Sequence, residues 1–305
     1  MPDVVTVTLN PALDESGRVR RVVPEDKLRL EEVRIDPGGG GINVARNVHA
    51  LGGEVLAFWS RGGPYGDRLA ELLDGARLPH RSVRIAADTR HSLTVDEATS
   101  DHQYRFVLPG PRLTDDEQER WIQVIEGLDA RILVLSGSLP PGVDPGFMGR
   151  LVRAAPRDCK VIVDAPGEGM RRALEAGVHL IKPNLRELEA IHGGSLEASE
   201  DIVRAARDLI HAGATRGVVV SLGAEGALCV TPDSHRPIPA PGVTEKSRVG
   251  AGDAAVAGLA LATARGDDLH GAARLAVAAG SASVMQGGTS PARREDVERL
   301  LRTME

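Results

Sequence analysis

A chain of 305 residues can bury a large core, as one α/β domain or as one domain with a small excursion. Its formal charge of -6 and aromatic content of 2% exclude the basic footprint and the stacking platforms of a nucleic-acid binder. No apolar run approaches the roughly 20 residues that cross a bilayer, so a membrane-spanning role is excluded too.

The opening Met1-Pro-Asp-Val-Val lacks the basic-then-apolar pattern of a secretory leader. Cys159 and Cys229 lie far apart in strand-like sequence, without metal-type spacing, and are expected as buried thiols. Both features predict a cytoplasmic protein. Residues 4–9 are rich in β-branched side chains and read as a first buried strand that turns at Asn10-Pro11. Asp14 follows at once. A carboxylate just past a strand's end is placed to line a pocket in an open α/β sheet, with a solvated loop acid as the plainer reading.

From Gly17 to Ile35, aliphatic residues alternate loosely with charges, which predicts two half-exposed strands. Residues 92–95 and 103–108, joined by a polar turn over 98–102, predict a second pair. We read the segments 15–36 and 88–109 as one small sheet standing off the main body, serving as a lid, a dimer surface or both. Between them, Asp36-Pro-Gly-Gly-Gly-Gly-Ile-Asn-Val-Ala-Arg46 leads into a helix expected over 43–51. Four glycines let a ligand touch the backbone, and the helix start favours an anion. A flexible hinge is the alternative. A dinucleotide fingerprint fits poorly, because the segment before the glycines reads as a lid strand.

Strands expected over 55–60, 81–85, 132–135, 161–163, 180–181 and 217–220 then alternate with helices over 65–74, 115–126, 145–154, 168–176 and 200–212. That rhythm predicts right-handed βαβ units and a parallel sheet covered on both faces. Polar segments 136–142, 182–187 and 221–226 follow three of these strands and should converge on one rim, where such sheets bind ligands. Asn184 and Glu187, three apart in a starting helix, suit a hydrated Mg2+ or, equally, an ordinary cap.

The chemistry is expected at Arg248-Val-Gly-Ala-Gly-Asp253. Gly250 and Gly252 precede an Ala/Val/Leu-rich run through Ala264 that suits a buried helix. The loop and helix start offer N–H groups and partial positive charge to an anion. Asp253 stands where an ordinary N-cap would stand, so this stretch alone supports capping and catalysis equally.

In this order, the motifs resemble the ribokinase-like (PfkB) family of sugar kinases. The likeness runs from Leu9-Asn10-Pro11 to Gly287-Gly-Thr and rests on Gly-Ala-Gly-Asp253, the glycine run ending at Arg46, and Ser136-Gly-Ser-Leu-Pro-Pro-Gly142. It implies one three-layer αβα sandwich over residues 1–305, with a mostly parallel central sheet and a small β lid. Within the family the chain looks most like the minor-type bacterial 6-phosphofructokinases. Supporting segments are Pro24-Glu-Asp-Lys27-Leu-Arg, Gln103-Tyr-Arg-Phe-Val-Leu-Pro109 and Val219-Val-Ser-Leu-Gly223. The related 1-phosphofructokinase and tagatose-6-phosphate kinase groups usually carry Lys where this chain has Gly40.

The resemblance implies transfer of the γ-phosphate of ATP to the C1 hydroxyl of fructose 6-phosphate. Asp253 would be the base, and Gly250, Ala251, Gly252 and the Asp253 backbone the anion hole. Asp14, Gly39, Gly40, Asn43 and Ser138 would hold the sugar, with Lys27 and Arg90 reaching its phosphate from the lid. ATP would lie along Lys182, Asn184, Ser221, Gly223 and Gly226, with Mg2+ near Asn184 and Glu187. A K+ site is implied at Ser247, Val249, Ser283, Gln286, Gly288 and Ser290, mostly through backbone carbonyls. There the chain departs from its apparent relatives. Arg248 replaces a small hydroxyl residue, Gln286 an Asn and Ser290 an Arg, which counts against potassium dependence, although backbone ligands tolerate such changes. Ala254 and Ala255 replace the common Ser-Met. A homodimer through the lid is also implied, and it would cover strand edges that are otherwise an aggregation hazard. The competing readings are a 1-phosphofructokinase or tagatose-6-phosphate kinase, a sugar-phosphate-binding regulator without catalysis and, least favoured, a nucleotide-dependent dehydrogenase.

Overall fold

The computed structural model describes residues 2–100 and 102–304, so one residue of the expected 98–102 turn, Asp101, lies outside the described residues. The chain opens with β1 (Val4–Thr8), β2 (Ala12–Val19), β3 (Glu31–Gly38) and α1 (Gly40–Ala50). It continues with β4 (Val55–Arg61), α2 (Gly63–Gly75), β5 (His80–Arg84), β6 (Arg90–Glu97), β7 (Gln103–Val107) and α3 (Asp115–Glu126). The middle holds β8 (Ile132–Ser136), α4 (Gly146–Ala154), β9 (Lys160–Asp164), α5 (Glu168–Ala176), β10 (Val178–Ile181), α6 (Leu185–His192) and α7 (Ser199–His211). Last come β11 (Thr215–Ser221), β12 (Gly226–Val230), β13 (His235–Pro239), α8 (Ala251–Arg265), α9 (Leu269–Val284) and α10 (Arg294–Thr303).

Nine strands form the main sheet in the order β13-β12-β11-β10-β9-β8-β1-β4-β5. Pairing is parallel from β5 to β11 and antiparallel for β12 and β13, so the expected mostly parallel sheet is present. Both faces are covered. On β1, Val5 and Val7 pack into one layer with Trp121 and Phe147, whereas Val4 packs into the other with Ile42 and Val256. A strand buried on both faces can be apolar at every position, which is why β1 and β8 read as continuous runs. Cys159 and Cys229 are free and buried, and burial pushes each thiol up to about 11. No helix among the described residues is long and apolar enough to cross a membrane.

The lid is a four-stranded sheet, β3-β2-β6-β7, with β2 and β6 parallel and the outer pairs antiparallel. Two of its strands, β2 and β6, begin earlier than expected, and β7 begins at Gln103 as expected. β2 starts at Ala12, with only residues 9–11 between it and β1, so Asp14 sits on a lid strand and not in a loop after a main-sheet strand. The expected pair over 17–35 is corrected accordingly: residues 20–30 carry no strand, and β3 runs on to Gly38.

Helix α1 also starts earlier, at Gly40 instead of residue 43, inside the glycine run. The reason is close approach. A Cβ on Gly41 would stand 2.5 Å from the carbonyl oxygen of Val7, so only a residue without a side chain lets the helix begin against β1. Helices α8 and α9 touch in the same way at Gly258, where a Cβ would meet the Leu275 oxygen and the Ala276 Cα at 2.8 Å. Gly258→Ala is therefore expected to lower stability by about 1–3 kcal/mol, as overpacking does, despite alanine's better helix propensity. The urea midpoint checks this, and an unchanged or raised midpoint rejects the backbone contact as limiting.

Candidate active site

Helix α8 begins at the rim of the main sheet. Gly250 is its N-cap in the left-handed region, φ 83°, a conformation that favours glycine. Asp253 is the third helical residue, and no side chain caps this helix. The capping reading of Asp253 is thus corrected. Its Oδ2 instead accepts a hydrogen bond from Asn43 Nδ2 at 2.9 Å, joining α8 to α1. Ala251 N donates to the Arg248 oxygen at 3.4 Å, whereas the N–H groups of Gly252 and Asp253 find no backbone carbonyl among the described residues and sit in the helix's partial positive charge.

Burial pushes the Asp253 carboxyl up to about 7, and the Asp164 carboxylate adds to it; the Asn43 amide and Lys182 pull the other way. Lys182 is itself buried and pairs with Asp164 at 3.5 Å. Asp14 is raised by burial to about 6, against the opposing pull of Arg90 and Arg105. A base must be ionised to take a proton. Activity resting on Asp253 should therefore fall as pH drops through about 7, approaching tenfold per unit below it. A kcat/KM profile between pH 5.5 and 8.5 checks this, and a flat acid limb would contradict it.

Two cavities meet at this turn. The first, about 950 Å³, is lined by Asp14, Gly39, Asn43 and Arg90, by Ser247, Val249, Gly250 and Gly288, and by Asp253. The second, about 560 Å³, is lined by Lys182, Asn184, Ser221, Gly223 and Gly226 together with Ala251 and Gly252. The sequence 250–253 is therefore the wall between them. Gly250 and Asp253 face the first, Ala251 and Gly252 the second. The second cavity follows the carboxyl ends of β10 and β11, which a bridge between Asn184 and Ser221 holds together.

Several predicted residues stand apart. Gly40 packs under Ser136, where a Cβ would lie 2.4 Å from its Oγ, and lines neither cavity. Ser138 accepts from Asn10 Nδ2 at 3.1 Å, outside the lining of the first cavity. Lys27 sits in the exposed loop between β2 and β3, away from that lining. Asn184 and Glu187 form a reciprocal capping box, Glu187 N to Asn184 Oδ1 at 3.0 Å and Asn184 N to Glu187 Oε2 at 2.9 Å. Glu187 lies outside the lining of the second cavity. Among the described residues no cluster of three or more His, Cys, Asp or Glu side chains forms a metal cage. A hydrated Mg2+ needs only one or two carboxylates, and Glu187 Oε1 is left free by the cap, so the pair fits such an ion.

Of the residues predicted for K+, Ser283, Gln286 and Ser290 line neither cavity. The two segments are nevertheless joined, because the N–H groups of Lys246 and Ser247 both donate to the Val284 oxygen. Gln286 Nε2 is turned toward Asp296.

Sequence reasoning missed Asp164, Arg46 and Arg105. Asp164 ends β9 on the same rim as Lys182, a position its strand end signalled. Arg46 is one helical turn from Asn43 and donates to its Oδ1 at 3.4 Å and to the Pro37 oxygen at 3.1 Å. Arg105 lines the first cavity from β7.

The chain is 44% identical to the ATP-dependent 6-phosphofructokinase isozyme 2 of Mycobacterium tuberculosis, over 98% of this chain and 89% of that one. Among solved structures it superimposes on phosphofructokinase-2 from Escherichia coli in complex with potassium, with a TM-score of 0.95, 38% identity and coverage of 100% and 99%. The same E. coli protein in complex with fructose-6-phosphate gives 0.93 at 37% identity, and its tetrameric inhibited form also gives 0.93 at 37%, each covering 100% of this chain and 99% of that one. With residues 7–296 matching the pfkB family of carbohydrate kinases, the chain belongs to that family, and its three-layer α/β fold is the family's ribokinase-like one.

Proposed function

We propose that the protein is an ATP-dependent phosphofructokinase that transfers the γ-phosphate of ATP to the C1 hydroxyl of fructose 6-phosphate. One observation carries the reading. A single turn, 250–253, separates two cavities and presents a carboxylate with a raised pKa to one of them and backbone to the other. Phosphoryl transfer asks chiefly for positioning and charge stabilisation, which a helix start supplies without covalent chemistry.

In the reaction the C1 oxygen attacks the γ-phosphorus, its proton passes to Asp253, and ADP leaves with the electrons of the broken P–O bond. The N–H groups of the turn receive the transferring oxygens, and Lys182 stands beside them, with Nζ 3.8 Å from where a Gly252 Cβ would be. Asp14, Gly39 and Asn43 hold sugar hydroxyls, and Arg90 takes the existing phosphate through a charge-assisted fork. Asn184 and Glu187 would hold the Mg2+ that neutralises ATP. Ser247, Val249 and Gly288 would carry a K+ that supports the turn, and comparing turnover in K+ and Na+ tests that role. The lid leaves Val33, Ile35, Phe106 and Val107 exposed on β3 and β7, which supports a homodimer closed lid to lid; a monomer by light scattering refutes it.

The deciding experiment measures ADP release over a panel of phosphosugars. Fructose 6-phosphate should be the preferred acceptor and fructose 1,6-bisphosphate the product. Preference for fructose 1-phosphate or tagatose 6-phosphate, or binding without ADP release, would overturn the assignment.

A further inference from the structure

Among the described residues, Arg248 is the one that lines both the sugar-side and the nucleotide-side cavity. Its carbonyl oxygen accepts from Ala251 N, which fixes the backbone immediately ahead of α8. The side chain is 85% exposed and rests on Glu245, three residues earlier, which lines the nucleotide side. An ion pair in that much water is cheap to break. A guanidinium facing phosphate oxygens in a site emptied of water gains far more, since its planar fork matches two of them at once.

The other cation at the turn behaves differently. Lys182 is buried and tied to Asp164, so its charge is fixed beside Gly252 on the nucleotide side. During transfer the phosphorus moves from one cavity toward the other. The bond from the γ-phosphorus to the β–γ bridging oxygen breaks and ADP keeps its electron pair. The bond to the sugar oxygen forms, and the hydroxyl proton goes to Asp253. A charge anchored on one side cannot follow that path. A long side chain rooted at the wall and open to both sides can.

We infer that Arg248 is a catalytic residue that leaves Glu245 and binds the phosphoryl group as it passes between the two cavities. The inference rests on the kinase reading given above. It makes Glu245 a resting place for the guanidinium, so that the anion site is not left with an unpaired cation before ATP arrives.

The test compares wild type with Arg248→Ala and Arg248→Lys in steady-state assays with ATP and fructose 6-phosphate. Titration of ADP, with and without aluminium fluoride and the sugar phosphate, supplies a mimic of the group in transit. Arginine fingers supply about 10³–10⁵-fold in GTP hydrolysis, where they are fully desolvated in the transition state. Here Lys182 and the backbone amides remain, so Arg248→Ala should lower kcat by about 30-fold and weaken the aluminium fluoride complex by a similar factor. Affinity for ADP alone and the KM for the sugar should stay within about threefold, and Arg248→Lys should recover part of the loss as a point charge without the fork. A merely structural ion pair predicts something else: lower thermal stability with kcat and the aluminium fluoride complex unchanged. That outcome overturns the inference while leaving the kinase assignment intact. A wild-type protein that turns over no phosphosugar sinks both, so the two failures are told apart.

Discussion

Asp253→Asn should lower kcat by about 10³-fold, in the middle of the range typical of general-base assistance, while the fold and the sugar affinity persist. The substituted amide keeps the shape of the carboxylate and can still offer an oxygen to Asn43 Nδ2, the donor 2.9 Å away. What it lacks is the capacity to accept the hydroxyl proton. The same change should raise stability above neutral pH. A carboxyl whose folded pKa is about 7 holds its proton more tightly folded than unfolded, so ionising it costs folding free energy as pH rises from about 4 to about 7. The cost is fully present above that window and absent below it. Denaturant titrations at pH 8 should therefore find Asp253→Asn more stable than wild type, and the gap should close toward pH 4. Near-wild-type turnover would remove Asp253 from the mechanism. Lost turnover with lost stability would show that the fold, and not the chemistry, had failed.

The second large effect is expected at Arg90. Its Nη2 donates to the Asn10 oxygen at a long 3.5 Å, and its Nε is buried without a partner among the described residues. A half-buried guanidinium with an unspent Nε, facing the cavity that Asp14 also lines, is ready for an oxyanion. Hydrogen bonds to charged groups are worth about 1.5–3 kcal/mol, so Arg90→Ala should reduce kcat/KM for fructose 6-phosphate by about 10–100-fold. Unphosphorylated fructose, a poor substrate from the start, should lose less than about threefold, because it has no phosphate to miss. An equal loss on both sugars would deny Arg90 the phosphate and make it a support for Asp14.

Much of this was legible before any coordinates. The β-branched runs at residues 4–8 and 132–136 announced buried parallel strands, and the polar residues after them announced the rim. The glycine pair at 250 and 252 marked the anion-binding helix start. Sequence failed where the third dimension decides. Nothing local says that Gly41 must clear the Val7 carbonyl, so the start of α1 was placed three residues late. Asp14 looked like a loop residue because the turn after β1 is too short to advertise that the chain is already in another sheet. At Asp253 the local stretch left capping and catalysis even; its place as the third helical residue and its bond to a residue 210 positions away decide against the cap. Arg46 and Arg105 lie inside quoted motifs and Asp164 in none, but all three matter through their charge on Asp14 and Asp253, which local sequence does not show.

The way the small sheet is attached has a practical consequence for anyone grafting a reporter onto this enzyme. Two of its four roots are very short: residues 9–11 connect β1 to β2, and Gly39 alone separates β3 from α1. A tag inserted at either root would drag the ligand-facing strand and the glycine turn with it. The stretch 20–30 is exposed almost throughout and free of regular structure, so a fluorophore or short epitope placed there should leave both sheets and the two cavities intact.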